Sequence, residues 1–263
     1  MYAFHYERPN SLDEAAHLIS NGGQALAGGQ TMLAAMKQRL MQPEKLVDLA
    51  HLKELQGVCL DGDQLIIGAM TTHQHVESNP EVLKHIPALA HLAGGIGDRQ
   101  VRAMGTIGGS VANNDPAACY PSAVLALDAN IHTHQRLIKA SDFFLGMYAT
   151  ALQPGELIKA ISFPIPRKAA YAKFKQPASR FALVGVFVAL TNAGARVAIT
   201  GAANGVFRHS GLEEALSQSF SPESIQSVSV DASNLNTDLH ASAAYRANLI
   251  KVQTQRAVQQ AIG

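Results

Sequence analysis

Two glycine pairs about 75 residues apart constrain this chain more than any other feature: "AGGQT" at 27–31 and "TIGGS" at 106–110. Glycine adopts positive φ without penalty and lets another group approach where a Cβ would stand. Successive N–H groups in such a turn point into a concavity that suits an anion. Each pair therefore reads either as a sharp structural corner or as backbone that touches a ligand, and two of them together read as jaws. The hydroxyls of Thr31, Thr106 and Ser110 would add donors for a phosphate. "QAL" before the first pair reads as a short apolar strand, and "MLAAMKQRL" after it places Met32, Leu33 and Met36 on one helical face. A helix starting after Thr31 would turn its positive end toward the same anion.

The chain has 263 residues, 47% apolar and 16% charged. That is the balance of a compact soluble protein, with length enough to bury a core without staples. Lys plus Arg number 21 and Asp plus Glu 20, so no strong field exists to steer a nucleic acid or an anionic membrane. Cys59 and Cys119 are the only cysteines, too few for a disulfide framework or a zinc or iron–sulfur site within this chain. Any metal chemistry belongs to a partner. The opening "MYAFHYERPNSLDEAA" lacks the basic start and apolar run of a secretory leader, so a cytoplasmic protein is expected. The longest apolar run, "FALVGVFVAL" at 181–190, falls far short of the roughly 20 residues of a membrane helix and reads as a buried strand.

Along the chain, a first strand ("YAFHYERP") precedes a helix capped by Asn10 or Ser11, with Leu12, Ala15, Ala16 and Ile19 on one face. "DGDQ" between apolar runs signals a hairpin. Helices are expected at 72–78 and about 86–95, then a helix feeding a strand in "SAVLALDANIHTH". "LIKAISFPIP" reads as a strand that stops at Pro164 and Pro166, whose missing N–H groups end central pairing. Composition changes there, which sets a boundary near 167. Beyond it, strands are expected at 171–175, 181–191 and 195–202 and helices near 211–219 and 241–262, the last with Tyr245, Leu249 and Val252 on its inner stripe.

Several motifs are missing. There is no P-loop, and the nearest approach to G-x-G-x-x-G, "GIGDRQ" at 95–100, lacks its third glycine. No G-x-S-x-G frames a nucleophile, so no catalytic side chain is assigned. "HQH" at 73–75 and "HTH" at 132–134 would share a face if they lay in strands. No Cys, Asp or Glu cluster accompanies them, and they read as surface histidines with no metal site. Arg99 and Arg102 read as phosphate ligands or, equally, as a solvated face or a subunit contact.

"LAGGQTMLAAMKQRL", "DRQVRAMGTIGGSVANNDPAACYPSAVLALDA", "PGELIKAISFP" and "KFKQPASRFALVGVFVAL", at these spacings, resemble the FAD-binding medium subunit of molybdenum hydroxylases, the carbon monoxide dehydrogenase and xanthine dehydrogenase flavoprotein family. The resemblance runs from the first strand to the last helix. It implies an α+β chain: a two-subdomain FAD-binding domain of the PCMH/vanillyl-alcohol-oxidase type at 1–167 (subdomains about 1–55 and 56–167), then a small C-terminal domain at 168–263 with an antiparallel sheet and helices.

The resemblance also implies cofactor contacts. Leu26, Ala27, Gly28, Gly29, Gln30, Thr31, Met32 and Leu33 would form one loop of the FAD cradle and Thr106, Gly108, Gly109 and Ser110 the other. Ile96 would lie beside the flavin, Ile158 would touch the cofactor through backbone, and Lys175 would reach it from the second domain. Asp115 is a further polar contact. Where the family often carries an acidic residue this chain has Cys119, through which only a backbone contact would persist. Phe181 reads as a core strand residue or, by resemblance, as a ring against the isoalloxazine.

The function implied is electron transfer through FAD to NAD, a quinone or oxygen. The partners implied are a molybdopterin-binding large subunit and a small subunit with two two-iron two-sulfur clusters, as a dimer of heterotrimers. No nucleic acid and no membrane insertion are expected. A stand-alone FAD oxidase or reductase, and a non-catalytic phosphate-binding or assembly module, remain the alternatives at this point.

Overall fold

The structure, a computed structural model, describes residues 1–263. It is α+β, built on three larger sheets of different character, with a fourth, two-stranded sheet pairing Phe144–Gly146 and Ala149–Thr150. The first is a small parallel sheet in the order His5–Glu7, Lys45–Asp48, Gln24–Leu26. Its first crossover is the helix Leu12–Ser20, started by Ser11, whose hydroxyl oxygen accepts from the Glu14 amide at 3.2 Å. Leu12, Ala15 and Ala16 are its buried residues.

The second sheet is antiparallel, in the order Val58–Asp61, Gln64–Gly68, Ile158–Pro164, Asn130–Thr133, Leu137–Lys139. Gly62, at φ +58°, turns the hairpin that "DGDQ" signals. The chain between the hairpin and the Asn130 strand forms six short helices, His73–Ser78, Pro80–His85, Pro87–Gly94, Arg99–Met104, Ile107–Asn113 and Tyr120–Ala126.

The third sheet is the antiparallel set Lys168–Lys175, Ala182–Thr191, Gly194–Thr200, Phe207–Arg208. The apolar run of the sequence is its central strand, buried on both faces. Val184, Val186 and Val188 face the helices Ser210–Gln218 and Ala243–Ile262. Phe187 and Ala189, with Tyr171, join the core of the preceding sheet and helices. Burying side chains of this size contributes roughly 1.5–3 kcal/mol each, so this contact is core and not a loose domain face.

Four local expectations differ from the structure. "TIGGS" is no turn: its glycines lie in the first turn of the helix Ile107–Asn113, capped by Thr106. "HQH" lies in the helix His73–Ser78 and not in a strand, and His73 is buried while His75 is exposed. In the last helix Tyr245 is exposed and Val252 half-buried; the inner stripe is Arg246, Ile250, Gln253, Ala257 with Leu249 and Val258. Arg246 can be buried there because its guanidinium donates to the Leu183 and Gly201 carbonyls, both at 2.8 Å, and to Asp238 at 2.6 Å. Phe181 precedes its strand and is 49% exposed, so it is not a core residue.

Candidate cofactor site

The two glycine segments meet. A Cβ on Gly28 would stand 2.0 Å from the Met104 carbonyl oxygen and 2.7 Å from the Gly105 Cα, and one on Gly109 would stand 3.4 Å from the Ala27 Cβ. Gly28 is therefore a close-approach glycine, and its neighbour Gly29 supplies the turn with φ +69°. The strand Gln24–Leu26 delivers the chain to this turn and the helix Met32–Lys37 takes it away. None of the N–H groups from Ala27 through Thr31 donates to a protein acceptor. Ala27, Gly28 and Gly29 are half-buried, so these amides form a partly sheltered row of donors.

The second segment behaves differently. Its amides are spent inside the protein: Ile107 donates to Thr71 O at 3.1 Å, Gly108 to Ala69 O at 2.8 Å, Gly109 to Thr106 Oγ1 at 3.1 Å and Ser110 to Thr106 O at 3.0 Å. The nest expected from its sequence is not present. Gly108 is glycine because Ala69 leaves no room: a Cβ would meet the Ala69 Cβ at 2.5 Å. Ser110 and Thr31 keep hydroxyls with no protein partner, while the Thr106 oxygen is committed as the cap.

The other singled-out residues spread around this junction. Ile158 is buried at the start of its strand, where the Lys159 carbonyl accepts from Ala69 N at 2.8 Å. Asp115 is taken up locally, accepting from Ala117 N at 2.8 Å and from the Tyr148 hydroxyl at 3.2 Å. Lys175 is exposed at a bulge in its strand, with no protein partner for its ammonium. Cys119 is buried, and its Sγ lies 3.5 Å from Lys173 Nζ. Ile96 is half-buried against the main core, in the turn after the helix Pro87–Gly94.

Beneath the second segment, His73 is buried with Nδ1 unpartnered, its ring 5.3 Å from that of Tyr120. Burial, and then the charge of Arg102, lower its pKa to about 4. Arg102 forms an ion pair with Glu77 at 2.9 Å. Tyr171 is raised well above its ordinary value, first by burial and then by Cys119. Residues that sequence reasoning missed are Lys173 and Arg180, whose side chains cross to the Gly95–Gly97 turn. One signal was available: the two-residue period of a strand places Lys173 on the same side as Lys175. No group of three or more His, Cys, Asp and Glu side chains converges as a metal site. No helix is long and apolar enough to cross a membrane.

A row of unpaired amides in a glycine loop that packs against the start of the helix Ile107–Asn113, in an α+β chain, suits a protein that carries a phosphate-bearing cofactor. Comparison with known proteins specifies which. The family described as FAD binding domain in molybdopterin dehydrogenase matches residues 2–166. The nicotine 6-hydroxylase medium subunit of Paenarthrobacter nicotinovorans is 33% identical, covering 98% of this chain and 97% of its own. The carbon monoxide dehydrogenase medium chain of Hydrogenophaga pseudoflava is 32% identical, over 98% and 96%. Among solved structures, reconstituted CO dehydrogenase from Oligotropha carboxidovorans superposes with a TM-score of 0.91 at 30% identity, over 99% and 98%. The chain belongs to the FAD-binding domain family of the molybdopterin dehydrogenases. Its residues fit that cofactor: the amides from Ala27 to Thr31, free of protein acceptors and half-buried or exposed, offer hydrogen-bond donors to a diphosphate.

Proposed function

We propose that this chain is the FAD-carrying, electron-transferring medium subunit of a molybdenum hydroxylase complex. Bound FAD supplies the exchange of electrons between iron–sulfur clusters of a partner subunit and an external acceptor such as NAD, a quinone or oxygen. The chain's own residues bind and orient. Leu26 to Leu33 hold the diphosphate through the free amides of the first loop, and Thr106, Gly108, Gly109 and Ser110 back that loop as a rigid wall. Ile96, Asp115, Cys119, Ile158 and Lys175 line the remainder of the cofactor. No side chain of this chain acts on substrate.

The carrying observation is the unpaired row from Ala27 to Thr31 in a chain that aligns end to end with medium subunits. The partners in this reading are a molybdopterin-binding large subunit and a small subunit with two two-iron two-sulfur clusters, assembled as a dimer of heterotrimers in the cytoplasm. The change of sheet near residues 55 and 167 supports a division into two FAD-binding subdomains and a C-terminal domain.

The test is flavin content. Protein purified alone and after co-expression with its neighbouring reading frames is expected to carry or take up one FAD per chain and to co-purify with subunits holding molybdopterin and iron–sulfur clusters. Protein that shows no flavin absorbance and does not bind added FAD in either preparation overturns the reading.

A further inference from the structure

Three consecutive carbonyls, Gly95 to Gly97, each accept from a different cation. Lys173 Nζ donates to Gly95 O at 2.7 Å, Arg102 Nη1 to Ile96 O at 3.1 Å and Arg180 Nη1 to Gly97 O at 3.1 Å. We infer that Lys173 and Arg180, reaching over from the C-terminal sheet, are positioning residues for the flavin, which hold this turn and set the place of Ile96. The inference rests on the FAD role proposed for Ile96.

The turn follows the C-terminus of the helix Pro87–Gly94, where carbonyls lack helical partners. Hydrogen bonds from charged donors are about twice as strong as neutral ones, so the three together pin its backbone. Gly97 stands at φ +51°, with Val101 2.8 Å from where its Cβ would be, which fixes the path of the turn from the other side. Lys173 is fully engaged as well: its remaining donors meet Arg180 O at 3.1 Å and Cys119 Sγ at 3.5 Å. Arg180 sits in the left-handed region at φ +63°, a conformation that costs a non-glycine residue about 1 kcal/mol or more.

A purely mechanical tie does not require this arrangement, because Tyr171 and Phe187 already bury the C-terminal sheet against the preceding core. The charges are also left over. Arg102 is balanced by Glu77, but neither Lys173 nor Arg180 is among the residues paired with a carboxylate. Two uncompensated cations beside Ile96 favour whatever becomes more negative there. A flavin gains negative charge on reduction, so these cations raise its potential as well as fixing its seat.

The test uses Lys173→Met and Arg180→Ala, with Lys173→Arg as the conservative partner. Each is measured in the purified chain by FAD titration, visible flavin spectrum and dye-coupled midpoint potential, beside the melting temperature of FAD-free protein. Lys173→Met is expected to weaken FAD binding about tenfold, the loss of one charge-assisted contact network, to alter the flavin bands and to make the potential more negative. Arg180→Ala moves the same quantities less, and Lys173→Arg recovers most of the affinity and potential. Wild-type affinity, spectrum and potential in both loss variants overturn the inference. So does an affinity that falls only in step with the FAD-free melting temperature and is not recovered by Lys173→Arg. If Arg180→Ala does not fold, the comparison of Lys173→Met with Lys173→Arg decides alone. A wild-type chain that binds no FAD either alone or with its co-purified partner subunits overturns the functional reading itself, a result distinct from variants that match a flavin-loaded wild type; where only the assembled preparation binds FAD, the same comparison is made in it.

Discussion

The two glycine pairs are written in the same letters and use their backbone in opposite ways. From Ala27 to Thr31 no amide is spent on the protein, whereas from Ile107 to Ser110 every amide is. Gly29 is needed for its dihedral and Gly28 and Gly108 for lack of room. A glycine pair therefore reports only that a Cβ is excluded. What the backbone does with its amides has to be read separately: here the first segment leaves them free and the second, packed on Ala69 and Ala27, spends them within the protein.

That contrast breaks most readily at Gly29. Valine there is forced to positive φ, costing roughly 1–2 kcal/mol, and its Cβ meets Leu33 Cδ1 at 2.8 Å. The turn is half-buried and can re-form without its donor row, so FAD affinity is expected to fall by at least about 100-fold while the chain stays folded. An FAD titration of folded Gly29→Val giving wild-type affinity would remove the first loop from the site. Gly108→Val is expected to do the reverse. Its side chain is driven into Ala69 inside the core, and overpacking of this kind costs about 1–3 kcal/mol or more. Urea unfolding should show that loss, with little change in FAD affinity per folded molecule; strong FAD loss in a stably folded Gly108→Val would mean that the two pairs do the same job.

Much of the frame was legible because its signals are local. Ser11 caps the first helix, "DGDQ" turns a hairpin, and the apolar run from Ala182 on is a strand buried on both faces. The helix over "TIGGS" was not, because two glycines argue against helix by propensity; Thr106 as cap was the signal that outweighed them. The inner stripe of the last helix was misread because a buried arginine and glutamine occupy it; the arginine is held by the Leu183 and Gly201 carbonyls, remote in sequence, and by Asp238. The clasp on Gly95 and Gly97 joins residues 78 and 83 positions apart, which no local pattern encodes. Lys175, singled out by resemblance, is free in the structure, while Lys173 two residues earlier makes the contacts.

A smaller effect is expected at Thr106. Thr106→Ala removes the cap of the helix Ile107–Asn113 and leaves the Gly109 amide without its acceptor, a change worth about 0.5–2 kcal/mol. Thermal unfolding should register it, and FAD binding should fall only as far as the wall behind the first loop loosens. A Thr106→Ala protein as stable as wild type would show that the cap is dispensable and that packing against Ala69 alone holds the segment.

Acid separates the two pairs most gently. His73 lies under the second one, its Nε2 2.6 Å from where a Cβ on Gly105 would stand, and its backbone amide donates to the Gly105 carbonyl, at the entry to that segment, at 2.9 Å. Burial first, and then the charge of Arg102, hold it neutral down to about pH 4 in the folded chain. An unfolded chain protonates near pH 6.5 and so binds the extra proton between those values. The stability this histidine confers is complete above about pH 6.5 and is lost progressively as the pH falls toward 4, amounting to about 1 kcal/mol or less at pH 6. His73→Phe removes that dependence, so wild type should lose stability faster than the variant over this window. Hydrogen exchange gives the sharper reading: on acidification, beyond the intrinsic change in rate, the amides of Ile107 to Ser110 should lose protection. Those of Ala27 to Thr31 have no protein acceptor to lose and should track the intrinsic rate alone. Equal changes at both segments would mean that the histidine loosens the whole junction and not the scaffold half of it.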